Sequence, residues 1–183
     1  MIQLSILKFL KNNKVNNVYI VDKKDISLDK RKTLYVYTDG SCKNNGKHNA
    51  IAGIGIYFDK NDHRNISKTF TGKQSNNTAE LTAIQTVYQI LEKEIKNNKD
   101  ITICSDSIYA IRCCTTYGKK NADKKWSTEI RNKELVKTIY NLYKPYKNIH
   151  FLHVRAHTGN NDHHSIGNFH ADRLANLAIS KFN

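Results

Sequence analysis

The chain has 183 residues, 39% of them apolar and only one a proline, which gives room for one domain with a substantial core and argues against long disordered tracts. Lysine and arginine total 30 against 16 acids, a formal charge of +14. That balance favours a polyanionic partner, with nucleic acid ahead of an anionic membrane surface, although a merely solvated basic surface would look the same. No run of about 18 apolar residues occurs, so no membrane-spanning helix is expected, and Met1 to Lys14 lacks the apolar core of a secretion signal. Cys42, Cys104, Cys113 and Cys114 contain no C-x-x-C pair. They read as reduced thiols in a reducing intracellular compartment, cytoplasm or nucleus.

Residues 1–32 read as an N-terminal extension. It has an apolar-and-lysine start (Leu4, Ile6, Leu7, Phe9, Leu10) and a charge-dense linker. Residues 33–183 read as one α/β domain. A β-favouring run from Leu34 stops at Asp39-Gly40, which predicts a strand that ends on a rigidly held carboxylate beside a glycine that admits close approach. Read alone, Asp-Gly is also a common turn pair. A polar turn leads to a second strand over Ile51–Phe58 and a third over Asn65–Thr71, an antiparallel meander.

Ser75, Asn76 and Asn77 are capping candidates for a helix running to about Lys96. Leu81, Ile84, Tyr88, Leu91 and Ile95 step at three and four, so one face packs on the sheet. Glu80 falls in its expected first turn, where the helix dipole alone would favour an acid. Ile101–Cys104 reads as a short buried strand, followed by Ser105-Asp106-Ser107 and a helix to about Thr115. Asp106 there is equally a plain helix cap. Tyr117 to Trp126 interleaves Lys119, Lys120, Lys124 and Lys125 with aromatics, a composition that suits a nucleic-acid backbone or a solvated loop with one packed Trp. A helix is expected over Ser127–Tyr143, a last strand over Asn148–Val154, a loop over Arg155–Asn168, and a final helix over 169–181 with Asp172 in its first turn.

Asp39, Glu80, Asp106 and Asp172 therefore share a position type: two follow strands and two open helices. Strand ends and helix starts can meet at one rim of a sheet. Four carboxylates gathered there would repel one another and raise at least one pKa unless cations neutralise them. Hard oxygen ligands select Mg²⁺, with Mn²⁺ as a possible substitute. Two such ions roughly 4 Å apart form the clamp that drives phosphodiester cleavage.

Five stretches carry a specific resemblance: Tyr-Thr-Asp-Gly-Ser-Cys at 37–42, Ser-Asn-Asn-Thr-Ala-Glu-Leu at 75–81, Cys-Ser-Asp-Ser at 104–107, Val-Arg-Ala-His-Thr-Gly at 154–159 and Ala-Asp-Arg-Leu-Ala at 171–175. In this order they resemble type 1 ribonuclease H, over roughly residues 33 to 181. The resemblance implies the ribonuclease H-like fold, a five-stranded mixed sheet whose first three strands form the meander, flanked by helices. It implies a monomeric endonuclease that hydrolyses the RNA strand of RNA·DNA hybrids and leaves 3′-hydroxyl and 5′-phosphate ends.

By the same resemblance, Asp39, Glu80, Asp106 and Asp172 match metal-binding acids. His157 matches a mobile-loop histidine that assists proton transfer or product release. Gly40, Ser41, Cys42, Asn45, Asn76 and Asn77 match contacts to the hybrid near the cut, where 2′-hydroxyls are felt. Lys73, Ser75 and Asn132 resemble a pocket for a DNA-strand phosphate. Tyr117 stands where many members carry a tryptophan in the DNA-binding channel. The chain departs from the pattern in a longer loop from His157 to Asp172, with added His163, His164 and His170. The basic segment at 117–126 is shortened, and residues 1–32 show no match to the hybrid-binding module of some members. Rival readings are a related integrase or reverse-transcriptase nuclease domain, and a hybrid-binding protein without activity. The Thr-Ala-Glu helix start and the His-Thr-Gly loop oppose an integrase, and the presence of all four acids opposes an inactive binder.

Overall fold

In the computed structural model, residues 33–156 and 160–182 are described. Five strands form one mixed sheet in the order β3-β2-β1-β4-β5: β1 (Leu34–Lys43), β2 (Ile51–Tyr57), β3 (Ile66–Thr69), β4 (Ile101–Ser105) and β5 (Ile149–His153). The first three are antiparallel neighbours, while β1, β4 and β5 run parallel. Among the described residues five helices accompany them: α1 (Asn76–Lys96), α2 (Ile108–Cys114), α3 (Thr116–Asp123), α4 (Lys133–Tyr143) and α5 (His163–Ser180). The expected five-stranded α/β architecture is thus present. No helix among the described residues is long and apolar enough to cross a membrane.

Strand alternation divides the core into two layers. Val36 of β1, with Ile54 and Ile56 of β2 and Ile101 and Ile103 of β4, faces Leu81, Ile84, Leu91 and Ile95 of α1 and Val136 and Ile139 of α4. The opposite face presents Tyr37, Cys104, Leu152 and Val154 to Ala171 of α5. Two glycines of β2 let α5 lie almost on the sheet. A Cβ on Gly53 would stand 2.6 Å from Ala178 Cβ, and one on Gly55 would meet the Ala171 carbonyl and stand 2.5 Å from Ala175 N.

Several boundaries differ from the sequence reading, each for a physical reason. β1 does not stop at Asp39 but runs to Lys43, because β2 pairs with it through Lys43↔Ile51. The parallel partner β4 is the strand that stops, its last pair with β1 being Thr38↔Ser105. α4 begins at Lys133 rather than at Ser127. Lys125, Trp126 and Asn132 have φ of 51°, 57° and 57°, a left-handed turn that brings the Trp126 ring to 6.3 Å from Tyr140. Burial of that ring outweighs the helical propensity of the intervening residues. The basic segment, for which a solvated loop is one reading, contains helix α3; Tyr117 on that helix and Trp126 in the turn after it both pack against the core.

α5 begins at His163, six residues before the expected start at 169. Asp162 caps it, accepting from His164 N at 3.1 Å and Ser165 N at 3.2 Å. Gly167, which reads as a loop residue, sits inside this helix at the point where a Cβ would meet the Tyr37 ring. His163 and His164 are consequently not loop residues. They lie against Tyr35 and Tyr37, with the Tyr37 hydroxyl 3.1 Å from His164 Nδ1, and His170 stacks on Tyr57 at 4.6 Å.

Candidate active site

Three packing events assemble the acids. Asp39 and Asp106 are the residues that follow Thr38↔Ser105, the last rung between β1 and β4. Parallel strands lie about 4.8 Å apart, so the two aspartates emerge side by side. Glu80 arrives with α1, whose backbone crosses β1 at Gly40. A Cβ on Gly40 would meet Glu80 N and stand 2.7 Å from Ala79 Cβ. Asp172 arrives with α5 from the opposite face of the sheet, through the flat seat that Gly55, the cross-strand partner of Asp39, provides.

The result is a cluster in which one carboxylate oxygen each of Asp39, Glu80 and Asp106 lies within 4.8 Å of the others. Asp172 stands just outside that group. Its Oδ1 accepts from Asn176 Nδ2 at 2.9 Å, yet its charge still acts on Asp39. All four acids are therefore near one another, three of them in a tight group. Two sequence readings of their local setting are corrected. Asp172 lies in the middle of α5, and Glu80 lies beyond the first turn of α1, which carries no acid. The dipole reading of Glu80 falls with that. Nor is Asp106 a cap, since Ser107 caps α2 by accepting from Ala110 N at 3.2 Å.

Burial and mutual repulsion set the electrostatics. Asp39 is 6% exposed and Glu80 4%. Burial first, and then the Asp106 charge, push the Asp39 pKa up to about 7, against a partly offsetting hydrogen bond from the Gly40 backbone. Burial, followed by the charges of Asp39 and Asp106, raises Glu80 well above the ordinary carboxylate range. Glu80 Oε2 is buried without a hydrogen-bond partner. Buried carboxylates in such a group are destabilised as anions until a cation joins them. Three hard oxygen donors within one ion's reach, one of them unpartnered, fit a divalent cation such as Mg²⁺ or Mn²⁺.

The other candidate residues fall into two sets. Asn45, Asn76 and Asn77 are exposed together at the start of α1, with Asn45 Oδ1 3.3 Å from Asn76 N. Lys73 is exposed, and Ser75 caps α1 in a box with Thr78. Tyr143 reaches Ile84 and Tyr146 reaches Tyr88. These contacts advance in step, so α1 and α4 run in the same sense. Lys73 and Ser75 therefore lie at the same end as Asn132, whose Nδ2 is 3.4 Å from the Tyr109 hydroxyl. The second set is committed internally. Gly40 is buried under α1, Ser41 Oγ donates to Asn176 Oδ1 at 2.6 Å, and Cys42 and Tyr117 pack against the core. His157 lies outside the described residues.

Sequence reasoning missed three residues. Asn168 Nδ2 donates to Asp106 Oδ2 at 3.1 Å, His153 Nε2 is 3.2 Å from the Asp106 carbonyl, and Asn176 bridges Ser41 and Asp172. Asn168 and Asn176 were detectable in part, because each lies one helical turn from Asp172.

Known proteins agree with this arrangement. A Schizosaccharomyces pombe protein named ribonuclease H is 38% identical over 151 residues, which cover 80% of this chain and 53% of that protein. The chain thus spans about half the length of that relative. A Clostridium botulinum ribonuclease H is 31% identical over 157 residues, covering 83% of this chain and 99% of its own. Among solved structures, LC11-RNase H1, isolated from compost by a metagenomic approach, superposes with a TM-score of 0.58 at 21% identity. That match covers 82% of this chain and 98% of the other, and it bears on the fold alone. The RNase H family profile matches residues 31–180, and with the sheet order, the acid cluster and these relatives it places this chain in the RNase H family.

Proposed function

We propose that the chain is an endonuclease that hydrolyses the RNA strand of RNA·DNA hybrids with two bound divalent ions, leaving 3′-hydroxyl and 5′-phosphate ends. The observation that carries this reading is the cluster of buried Asp39 and Glu80 with half-buried Asp106, with Asp39 raised to about 7 and an unpartnered Glu80 oxygen. Such a group is a poor structural element and a good cation site. A second structure of LC11-RNase H1, with a TM-score of 0.53 to this chain, is in complex with an RNA/DNA hybrid. That supports the same class of substrate here.

When bound, a pair of divalent ions supplies an activated water and stabilises the leaving oxygen of the phosphodiester. The chain's own residues do the rest. Asp39, Glu80 and Asp106 hold the cations, with Asp172 as the fourth acid brought by α5. The exposed amides of Asn45, Asn76 and Asn77, at the start of the helix that carries Glu80, offer donors and acceptors to sugar hydroxyls. Lys73 and the neighbouring Asn132 end of α4 supply a positive, hydrogen-bonding grip for a phosphate of the opposite strand. His157 assists proton transfer or product release. The acids and the surrounding lysines divide the work, because a protein of charge +14 attracts the phosphates while its acidic pocket attracts the metal.

The test is cleavage of a labelled hybrid with Mg²⁺, beside single-stranded RNA and double-stranded DNA. Asp106→Asn keeps the shape but removes a charge from the cluster. It is expected to bind hybrid and not cut it. Full cutting by that variant sinks the metal role, and cutting of all three substrates alike sinks the hybrid specificity.

The basic segment makes a separate prediction. Lys120, Lys124 and Lys125 are exposed, whereas Lys119 is tied to Asp123 at 2.9 Å. Replacing the three exposed lysines by alanine should raise KM for hybrid, leave kcat unchanged, and lower the slope of log affinity against log salt by up to about 3. Titration of binding at several salt concentrations checks it. An unchanged slope removes this segment from the substrate surface.

A further inference from the structure

Asn168 is a buried polar residue for which neither packing nor the proposed chemistry gives a use. It is 4% exposed and lies on the flank of α5 between the Gly167 and Ala171 face, which packs on the sheet, and Asp172. Its Nδ2 reaches 62 residues back along the chain to Asp106 Oδ2. Its Oδ1 is buried and has no hydrogen-bond partner. A half-satisfied buried amide costs stability that a leucine of similar shape would not. Residues that lower stability in this way concentrate at functional sites.

The contact is well placed to matter. Asp106 belongs to neither β4, which ends at Ser105, nor α2, which begins at Ile108. No ladder or helix bond fixes its side chain. Its backbone carbonyl is held from β5 by His153, and its carboxylate is held from α5 by Asn168.

We propose that Asn168 is a positioning residue for divalent-ion binding: its amide fixes the Asp106 carboxylate in the orientation that closes the cluster with Asp39 and Glu80. This rests on the metal-dependent reading of that cluster. Asn168 touches neither the ion nor the substrate. It acts through Asp106, in the manner of the outer hydrogen-bond partners that orient ligands in metal sites. It also makes α5 contribute to the cluster twice, once by supplying Asp172 and once by holding Asp106.

The test uses the full chain and calorimetric titration with MnCl₂ in the absence of nucleic acid, beside thermal melts and hybrid-cleavage kinetics. Asn168→Leu removes the donor and the unpartnered oxygen while keeping the branched shape. Its metal-free melting temperature should equal or exceed that of the parent, while the Mn²⁺ dissociation constant rises about 10–100-fold. kcat should fall with KM for hybrid within about threefold of the parent. Asn168→Ala should weaken Mn²⁺ binding similarly without adding an apolar group beside the acids. Mn²⁺ affinity within about twofold of the parent in the folded variants overturns the proposal. So does loss of the cooperative melt in both variants, which would make Asn168 a residue of the fold. If the parent itself binds no Mn²⁺, the metal-dependent reading falls and takes this inference with it. A parent that binds beside variants that bind equally well sinks the inference alone.

Discussion

Asp39→Asn is expected to lower the rate of hybrid cleavage by at least about 1,000-fold and, without divalent ions, to raise the melting temperature at neutral pH. The first effect follows from the charge stabilisation that a bound metal supplies, several kcal/mol at about tenfold per 1.4 kcal/mol. The second follows from the pKa of about 7 that burial and the Asp106 charge impose, against an ordinary value of 3.8. A carboxyl whose folded value lies above its unfolded value keeps its proton longer in the folded state. Its favourable contribution is present in full below about pH 4 and is lost as pH rises to about 7. At about 1.4 kcal/mol per pKa unit, the loss has an upper bound of about 4 kcal/mol.

The asparagine carries no such penalty. The melting temperature of Asp39→Asn should therefore pull ahead of the parent as pH rises from about 4 to 7 and hold its lead above that. Saturating Mg²⁺ should restore the parent and leave the variant almost unmoved, because a ligand that binds only the folded state stabilises it by mass action. Differential scanning calorimetry across that pH range, with and without Mg²⁺, reads both effects. A gap that is constant with pH would show that the cluster exerts no such strain. A parent insensitive to Mg²⁺ would count against the cation site itself.

Gly55→Ala carries the second large effect, this time from packing. The new methyl would meet the Ala171 carbonyl and stand 2.5 Å from Ala175 N. The obstacle is helix backbone and cannot rotate away. Overpacking of a tight core costs about 1–3 kcal/mol, and the rigid contact here places the cost at or above the top of that range. For a chain of this size each kcal/mol lowers the melting temperature by about 2–4 °C, so a fall of about 10 °C is expected. The fold cannot seat α5 without moving Asp172 and Asn168, both of which that helix carries. Cleavage should then fall at least about tenfold even at temperatures where the variant remains folded, since a displacement of about 1 Å is enough to cost that much. Melting and single-turnover cleavage at low temperature check it. A variant with the parent's melting temperature would mean that α5 does not sit as closely on β2 as described.

The identities of the four acids were legible because they sit in four of five short motifs, each weak when read alone and specific only when all five occur in one order. Their local settings were less so. Asp172 was placed in a first turn because Gly159 and Gly167 make 155–168 look like a loop. Gly167 is needed there because the Tyr37 ring, far away in sequence, fills the space a side chain would occupy where the helix crosses it. The same limit hid the left-handed turn at Lys125 and Trp126, which depends on Tyr140 for its partner. It also hid the bond from Asn168 to Asp106, which joins residues 62 apart.

Local pattern was therefore enough to determine the α/β class, the meander, the residue types that would hold a cation and the family they resemble. Propensity, periodicity and motif order act over a few residues and need no knowledge of what lies across the sheet. Tertiary structure alone decided that Gly40 is a crossing point for α1, that the acids approach from both faces of the sheet, and that one asparagine of α5 holds an aspartate beyond β4. Those facts depend on which backbones come within van der Waals contact. That is settled by packing of the whole chain, where burial and steric exclusion between distant residues outweigh local preference.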